Sequence, residues 1–293
     1  MSKYLLVNAD DFGMCHAANA AVFELFELGA LKSSTIMLPC PAAMEAVEFA
    51  KAHPEYGIGV HLTLTSEWRE YRWKPLTMAK SLIDKEGFMW HEAPDVQLHA
   101  KLKDIENEIR AQIEYAQDLG FHPDHIDSHM ESLYGFDTGR FSVLGMTIRT
   151  VGDYGYAYRL YTDTAKCVAP AGVPWPVWKV TKYITRHLSK KYNVIMPDYL
   201  LFPDWNSDLT DNGYEHYREE ILKIWTNIPD GITETFVHPS IEDDQLKSIT
   251  GRWRCRVWEY QLLKDPYAQN YLKEHGVELI SYGDLIRLKS DRK

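Results

Sequence analysis

The chain has 293 residues, of which 45% are hydrophobic and 25% charged, and its formal net charge at pH 7 is −10. This composition is typical of a folded globular protein and excludes a disordered chain. The negative charge argues against nonspecific binding to nucleic acid or to an anionic membrane, because like charges repel. We therefore expect a small or neutral substrate, with no nucleic-acid partner and no membrane partner.

The four cysteines are widely spaced and include no C-x-x-C pair, which predicts reduced thiols rather than a zinc ribbon or a disulfide framework. The first residues lack the apolar core of a signal peptide, and no run of some twenty residues is apolar enough to span a bilayer. These features predict a cytoplasmic protein. A homodimer is compatible with the sequence, which does not fix the oligomeric state.

Strand-like and helix-like runs alternate along the chain. The elements begin with a strand at 4–7, a helix at 17–28, a strand at 35–38, a helix at 42–52 and a strand at 57–64. An irregular insertion at about 66–100 leads to a helix at 98–119, a strand at 125–128, a helix at 141–151 and a strand at 156–161. A second insertion at 162–212, rich in proline and aromatic residues, includes a helix at 177–190. The last elements are a helix at 214–225, a strand at 233–237, helices at 256–263 and 267–275, a strand at 277–281 and a helix at 284–288.

Strands separated by helices predict a parallel sheet, and about seven such units in one chain favour a closed or nearly closed β/α barrel. We expect a single domain over residues 1–293, with the two insertions outside the repeating pattern. An open, doubly wound sheet would produce the same alternation. The barrel is favoured because candidate chemical groups follow several strands, and the carboxyl ends of barrel strands meet at one mouth.

Two adjacent carboxylates, Asp10 and Asp11, follow the first predicted strand. Neighbouring side chains of an extended chain point in opposite directions, so the two can have different roles, such as proton transfer and metal binding. The alternative is that Asp11 caps the helix that begins near Cys15.

Histidines supply the remaining candidate ligands. His61 lies among apolar and β-branched residues, where a buried imidazole needs either a hydrogen bond or a metal. His125 and His129 would be one turn apart in a helix, but roughly 13 Å apart in a straight strand, and Pro123 and Ile126 favour the strand. We therefore predict His125 as the ligand and His129 as a pocket residue at the strand end. A solvated loop is the alternative for His129.

One carboxylate and two imidazoles suit a divalent ion such as Zn²⁺, and the ligand types also admit Fe²⁺, Mn²⁺ or Mg²⁺. Such a site can activate a water and polarise a substrate oxygen, which is the chemistry of hydrolysis. Asp10 is then the candidate base and His238 the candidate acid, although His238 could simply be a turn residue before Pro239.

Four motifs in this order resemble the YdjC-like carbohydrate deacetylases. They are Asn8-Ala-Asp-Asp-Phe-Gly13, Gly59-Val-His-Leu-Thr63, His125-Ile-Asp-Ser-His129 and Val237-His-Pro239. The resemblance implies a distorted β/α barrel of the NodB-like type, which removes the acetyl group of an acetylated sugar. It also implies Asp10 as the base, Asp11, His61 and His125 as the metal ligands, His238 as the group that stabilises or protonates the departing amine, and Arg159 as a pocket arginine.

The resemblance further implies Mg²⁺ as the metal, whereas two imidazole ligands favour Zn²⁺ or another transition metal. The chain departs from the family pattern directly after His129, where members often continue as His-x-His and this chain reads Met130-Glu131. It also has Ser240 where members often have glycine. Two other functions stay open, namely hydrolysis of another bond such as a phosphoester, and sugar binding without catalysis.

Overall fold

The computed structural model describes residues 2–169, 175–202 and 212–291. Its sheet has eight strands, and all of their pairings are parallel. They are β1 (Lys3–Phe12), β2 (Ser34–Ile36), β3 (Ile58–Leu62), β4 (His125–Ser128), β5 (Ala157–Tyr158), β6 (Tyr199–Leu200), β7 (Gly231–Val237) and β8 (Val277–Ile280). The parallel sheet predicted from the alternating pattern is confirmed.

The sheet curls into a partial barrel around β1. Its order is β5-β4-β3-β2-β1-β7-β6, and β8 pairs with the first half of β1. Backbone hydrogen bonds near the edge strands β5 and β6 bring the two edges together, from Tyr158 N to Ile195 O (2.9 Å) and from Asp163 N to Asp198 O (2.7 Å). The predicted distorted β/α barrel is confirmed, with hydrogen bonds outside the strands linking its two edges.

Helices cover the outside of this sheet. They are α1 (His16–Glu27), α2 (Ala43–Ala52), α3 (Ala93–His99), α4 (Leu102–Asp118), α5 (Phe141–Tyr154), α6 (Trp175–Tyr192), α7 (Tyr214–Thr226), α8 (Asp244–Ile249), α9 (Trp253–Lys264), α10 (Pro266–Glu274) and α11 (Tyr282–Ser290). Most match the predicted helices within three residues. The prediction missed α8 and α3, and placed the start of α4 too early because Ala100 and Lys101 are extended.

The first strand is longer than its apolar pattern predicts. Only residues 4–7 form an apolar run, yet β1 continues to Phe12 and buries Asn8, Asp10 and Asp11. Strands in parallel sheets are covered on both sides, so buried polar residues need partners inside the barrel. The end of β1 therefore carries carboxylates into a largely enclosed interior.

The two predicted insertions are described in part. Residues 66–92 contain a short helical turn at Lys80–Leu82, and residues 170–174 and 203–211 of the second insertion lie outside the described residues. The single domain over residues 1–293 stays a prediction. Among the helices in the described ranges, none combines the length and apolar character needed to cross a bilayer.

Candidate active site

Three side chains converge where β1, β3 and β4 end. They are Asp11 at the end of β1, His61 in β3 and His129 directly after β4, and all three are buried. Asp11 Oδ1 lies 3.6 Å from His61 Nε2 and 3.4 Å from His129 Nδ1. The two imidazole nitrogens are 3.3 Å apart. One carboxylate oxygen and two ring nitrogens thus face a common point.

A second carboxylate holds each of these imidazoles from behind. His61 Nδ1 lies 2.6 Å from Asp127 Oδ1, and His129 Nε2 lies 3.0 Å from Glu67 Oε2. Each carboxylate accepts a hydrogen bond from its imidazole, so the opposite ring nitrogen directs a lone pair at the cluster once the ring is neutral. This carboxylate–histidine arrangement is the usual support of metal-binding histidines.

The residues fit a divalent metal ion. Ligands about 2.0 to 2.2 Å from a zinc ion are roughly 2.8 to 3.6 Å apart in octahedral or tetrahedral geometry, and the three distances of this cluster fall within that range. Asp11 Oδ1 is buried and accepts no hydrogen bond from the residues that the structure describes, as expected for an oxygen that has another partner.

The backbone of Asp11 is strained. It has a left-handed φ of +61°, a conformation that costs a non-glycine residue about 1–3 kcal/mol. Its Oδ2 accepts a 2.7 Å hydrogen bond from Arg256 Nη2. Asp11 does not cap α1, because the N-cap position is occupied by Cys15 and has no side-chain hydrogen bond. The alternative role as a helix cap is therefore excluded.

Charge at this cluster is strongly coupled. Burial alone would raise the pKa of Asp11, but Arg256 and the neighbouring imidazoles hold it well below its usual value. Burial alone would lower the pKa of His129, yet the negative charges of Glu67 and Asp11 raise it to about 10. The surroundings thus favour a positive charge at this point, which a proton or a metal cation can supply.

His125, the ligand predicted from the sequence, is not part of this cluster. Its ring stacks on Tyr282 with centroids 3.7 Å apart, Nδ1 lies 2.5 Å from Asp124 Oδ1, and Nε2 lies 3.2 Å from Asn8 Oδ1. His125 and His129 bracket β4, and His125 stands at its amino end, deeper in the barrel. The sequence predicts that Asp11, His61 and His125 meet, whereas the structure brings Asp11 and His61 together with His129, which lies nearer the carboxyl end of β4.

Asp10 lies beside the cluster and is held by Arg159. Arg159 Nη1 donates to Asp10 Oδ2 and Nη2 donates to Asp10 Oδ1, both at 2.7 Å. Asn8 Nδ2 adds a 2.8 Å bond to Asp10 Oδ1, and Asp10 Oδ2 is 3.9 Å from His61 Nε2. The structure therefore brings the predicted base next to the predicted metal ligands.

Arg159 lines the cavity and also contacts three buried carboxylates. Its Nε donates to Glu234 Oε1 at 2.7 Å, and Nη2 also lies 2.8 Å from Asp127 Oδ2. Burial alone would lower the pKa of Arg159, but the carboxylates around it hold the pKa well above its usual value. This arginine links Asp10, Asp127 and Glu234 of β7 in one network.

His238 follows β7 and lines the same cavity. Burial lowers its pKa to about 4, with the charge of Arg256 acting in the same direction and that of Asp11 opposing it. Its backbone N–H donates to Glu259 Oε2 at 2.7 Å, which fixes the turn before Pro239. The ring is therefore neutral near pH 7.

The cluster opens into a cavity of about 590 Å³, within the range of small-molecule sites. Its walls combine charged and aromatic residues, among them Glu67, Trp68, Glu131, Arg159, Phe236, His238 and Arg256. Glu67 and Arg256 are not among the residues predicted from the sequence, since neither lies at a strand end. The fold thus defines an α/β partial-barrel protein with a buried carboxylate–histidine centre at the strand carboxyl ends.

The chain matches the YdjC-like protein family over residues 4–274 and belongs to that family. It is 30% identical over 289 residues to a carbohydrate deacetylase of Geobacillus stearothermophilus, with 98% of this chain and 100% of that protein covered. A chitooligosaccharide deacetylase of Yersinia enterocolitica is 36% identical over 134 residues, which covers 44% of this chain and 50% of that one.

One solved structure is similar throughout. It is a crystal structure from Enterococcus faecalis V583, named for a proposed cellobiose-phosphate cleavage activity, with a TM-score of 0.74 and 27% identity. The match covers 97% of this chain and 99% of that one. The family resemblance predicted from the four motifs is therefore confirmed.

Proposed function

We propose that this protein is a metal-dependent hydrolase that removes the acetyl group of an N-acetylated sugar or oligosaccharide. The observation that carries the proposal is the cluster of Asp11, His61 and His129, with both imidazoles backed by carboxylates and Asp10 alongside. Relatives named carbohydrate deacetylase, which align along almost the whole chain, support the same activity.

Asp11 Oδ1, His61 Nε2 and His129 Nδ1 are the proposed ligands of one divalent ion. A bound ion would supply Lewis-acid chemistry, polarising a carbonyl oxygen and acidifying a water. Two imidazoles and one carboxylate favour Zn²⁺ or another transition metal over Mg²⁺, which prefers oxygen ligands. His125, in contrast, supports the barrel interior in this proposal.

Asp10 is the proposed general base, which takes a proton from the attacking water. Arg159 holds both carboxylate oxygens and so fixes the position of Asp10 relative to the cluster. The C–N bond of the acetamido group then breaks, and acetate and an amine are the products.

His238 is the proposed donor of the proton to the departing nitrogen. A ring with a pKa of about 4 does not store that proton at pH 7. We therefore propose that the proton taken by Asp10 passes through His238 to the nitrogen during the reaction. Arg159 and His129, which the sequence assigned to substrate binding, act instead in positioning Asp10 and in ligating the metal.

The test uses protein stripped of metal and reloaded with Zn²⁺, Mn²⁺, Co²⁺ or Mg²⁺. Acetate and phosphate release are measured from acetylated mono- and disaccharides, with and without a phosphate group. We expect acetate release that is restored best by a transition metal. Phosphate release without acetate would favour the phosphoesterase alternative, and saturable sugar binding without any product would favour a binding protein.

Replacement of Asp10 by Asn tests the assignment of the base. Asp10→Asn should keep the metal content of the wild type and lose acetate release by about 100-fold or more, the usual contribution of a general base. Circular dichroism and a melting temperature serve as controls, because Arg159 keeps two of its three carboxylate partners in the variant. Near wild-type turnover would remove Asp10 from the mechanism.

A further inference from the structure

The chain reverses sharply after β4 at two strained residues. Met130 has φ +50° and Glu131 has φ +54°, both in the left-handed region that non-glycine residues avoid. Of the five non-glycine residues with such a backbone in the described ranges, Asp11, Met130 and Glu131 all line the cavity. Strain of this kind persists only where the surrounding structure imposes it, and it concentrates at functional sites.

The backbone of this turn is fixed by short-range hydrogen bonds. Ser132 donates to His129 O through its N–H at 3.2 Å and through Oγ at 2.9 Å, and Tyr134 N donates to Glu131 O at 2.9 Å. The turn that presents His129 to the cluster therefore also fixes where the Glu131 side chain emerges.

The Glu131 carboxylate has no hydrogen bond or ion pair with any residue in the part of the chain that the structure describes. Arg159 is close enough to influence it, but each of its three nitrogens already donates to Asp10, Asp127 or Glu234. A partly buried acceptor thus faces the cavity without a donor.

A matching donor lies in the same cavity. Arg256 Nη1 is buried and has no acceptor among the described residues, while Nη2 is used by Asp11. A ligand that pairs with both residues must donate a hydrogen bond to the Glu131 carboxylate and accept one from the Arg256 guanidinium. Sugar hydroxyl groups do both, whereas a phosphate group only accepts and would be repelled by Glu131.

We propose that Glu131 is a substrate-binding residue that accepts a hydrogen bond from one ring hydroxyl of the acetylated sugar and so selects among sugars. This inference rests on the proposed deacetylase function.

The test combines substitutions of Glu131 with deoxygenated substrates. Acetate release is measured for N-acetylglucosamine and its 3-, 4- and 6-deoxy analogues with the wild type, Glu131→Gln and Glu131→Ala. Hydrogen bonds to a charged group are worth roughly tenfold to a hundredfold in affinity. We expect Glu131→Ala to raise KM by about tenfold or more, and Glu131→Gln, which keeps an acceptor oxygen, to raise it less.

The decisive measurement is whether the effect of removing one sugar hydroxyl on KM depends on the presence of the Glu131 side chain. One deoxy analogue should have a higher KM than the parent sugar with the wild type, and this difference should vanish with Glu131→Ala. If every analogue keeps its wild-type ratio in Glu131→Ala, the proposal is wrong. Equal effects of Gln and Ala would also overturn it, since they would indicate recognition of a cation rather than a hydroxyl.

Glu70→Gln is the matched control, because it makes the same amide substitution at an exposed position outside the cavity lining. It should keep the wild-type KM. Metal content and melting temperature of all variants should stay at wild-type values. Sugar binding is also followed by intrinsic tryptophan fluorescence, to which Trp68 at the cavity wall contributes, so that Glu131 can be judged even if no acetate is released.

Discussion

Two polar layers inside the barrel differ in how their hydrogen bonds are satisfied. The inner layer contains Asn8, His125 and Tyr282, and each of these side chains contacts a partner within the protein. The outer layer at the mouth contains Asp11 and Arg256, each of which has a buried atom without a hydrogen-bond partner among the described residues. Buried polar groups are costly unless paired, so the inner layer serves the fold and the outer layer serves a ligand.

The largest expected effect is at the outer layer. His129→Ala removes one of three proposed ligands, so we expect loss of bound metal and a fall in acetate release of at least about 100-fold. This effect should exceed that of removing a carboxylate that only supports a ligand. Metal content by mass spectrometry and acetate release are the measurements. If the variant binds metal as the wild type does, His129 is not a ligand.

The inner layer should respond in the opposite way. His125→Ala leaves a cavity against Tyr282 and removes one of the two hydrogen-bond partners of Asn8 Oδ1, the other being Ser33 Oγ, so the free energy of unfolding should fall by about 2–4 kcal/mol. Metal content should stay at one ion per chain. Denaturant unfolding measures the stability, and metal analysis measures the bound ion. Metal loss in a folded His125→Ala protein would contradict the assignment of His125 to the fold rather than to the metal site.

The fold could be predicted largely from the sequence, because alternating strands and helices have strong periodic patterns. The polar residues near the strand ends were harder to predict from the sequence. The polar residues Asn8 and Asp10 contact β2, β4 and Arg159 directly after β5, all of which are distant in sequence, and no local pattern indicates those contacts. For the same reason, the sequence could not show that Glu67, in an irregular segment, reaches His129.

The position of His129 beside Asp11 and His61 could have been predicted from the sequence. His125 and His129 lie on the same side of the extended chain as Asp127, two residues from each, and catalytic groups of barrels gather at the carboxyl ends of strands. That rule favours the later histidine. Asp127, paired in register with His61, was a further signal, because the same motif contacts His61 and supplies His129 to the cluster.

Glu67→Gln should have a smaller effect than the loss of a ligand. The amide still accepts a hydrogen bond from His129 Nε2, but its negative charge is gone, so metal affinity should fall by roughly 10- to 100-fold. Competition with a chelator of known affinity measures this change. Glu70→Gln, at an exposed position three residues along the chain, is the control and should leave the affinity unchanged.

The smallest effect expected is at Gly59, which allows β3 to approach the inner layer. A Cβ at this position would lie 2.4 Å from His125 O and 2.8 Å from the ring atoms Cε1 and Nδ1. Gly59→Ala should therefore lower the free energy of unfolding by about 1–3 kcal/mol, as other overpacked cores do.

Gly145→Ala is the matched control for this substitution. Gly145 lies inside α5, where a Cβ would meet no described atom within 4 Å beyond the backbone of its own helix, and alanine in a helix is favoured over glycine by about 0.5–1 kcal/mol. The two glycine variants should thus shift the melting temperature in opposite directions. Equal shifts would mean that the inner layer tolerates a methyl group, and the packing of His125 would then not depend on Gly59.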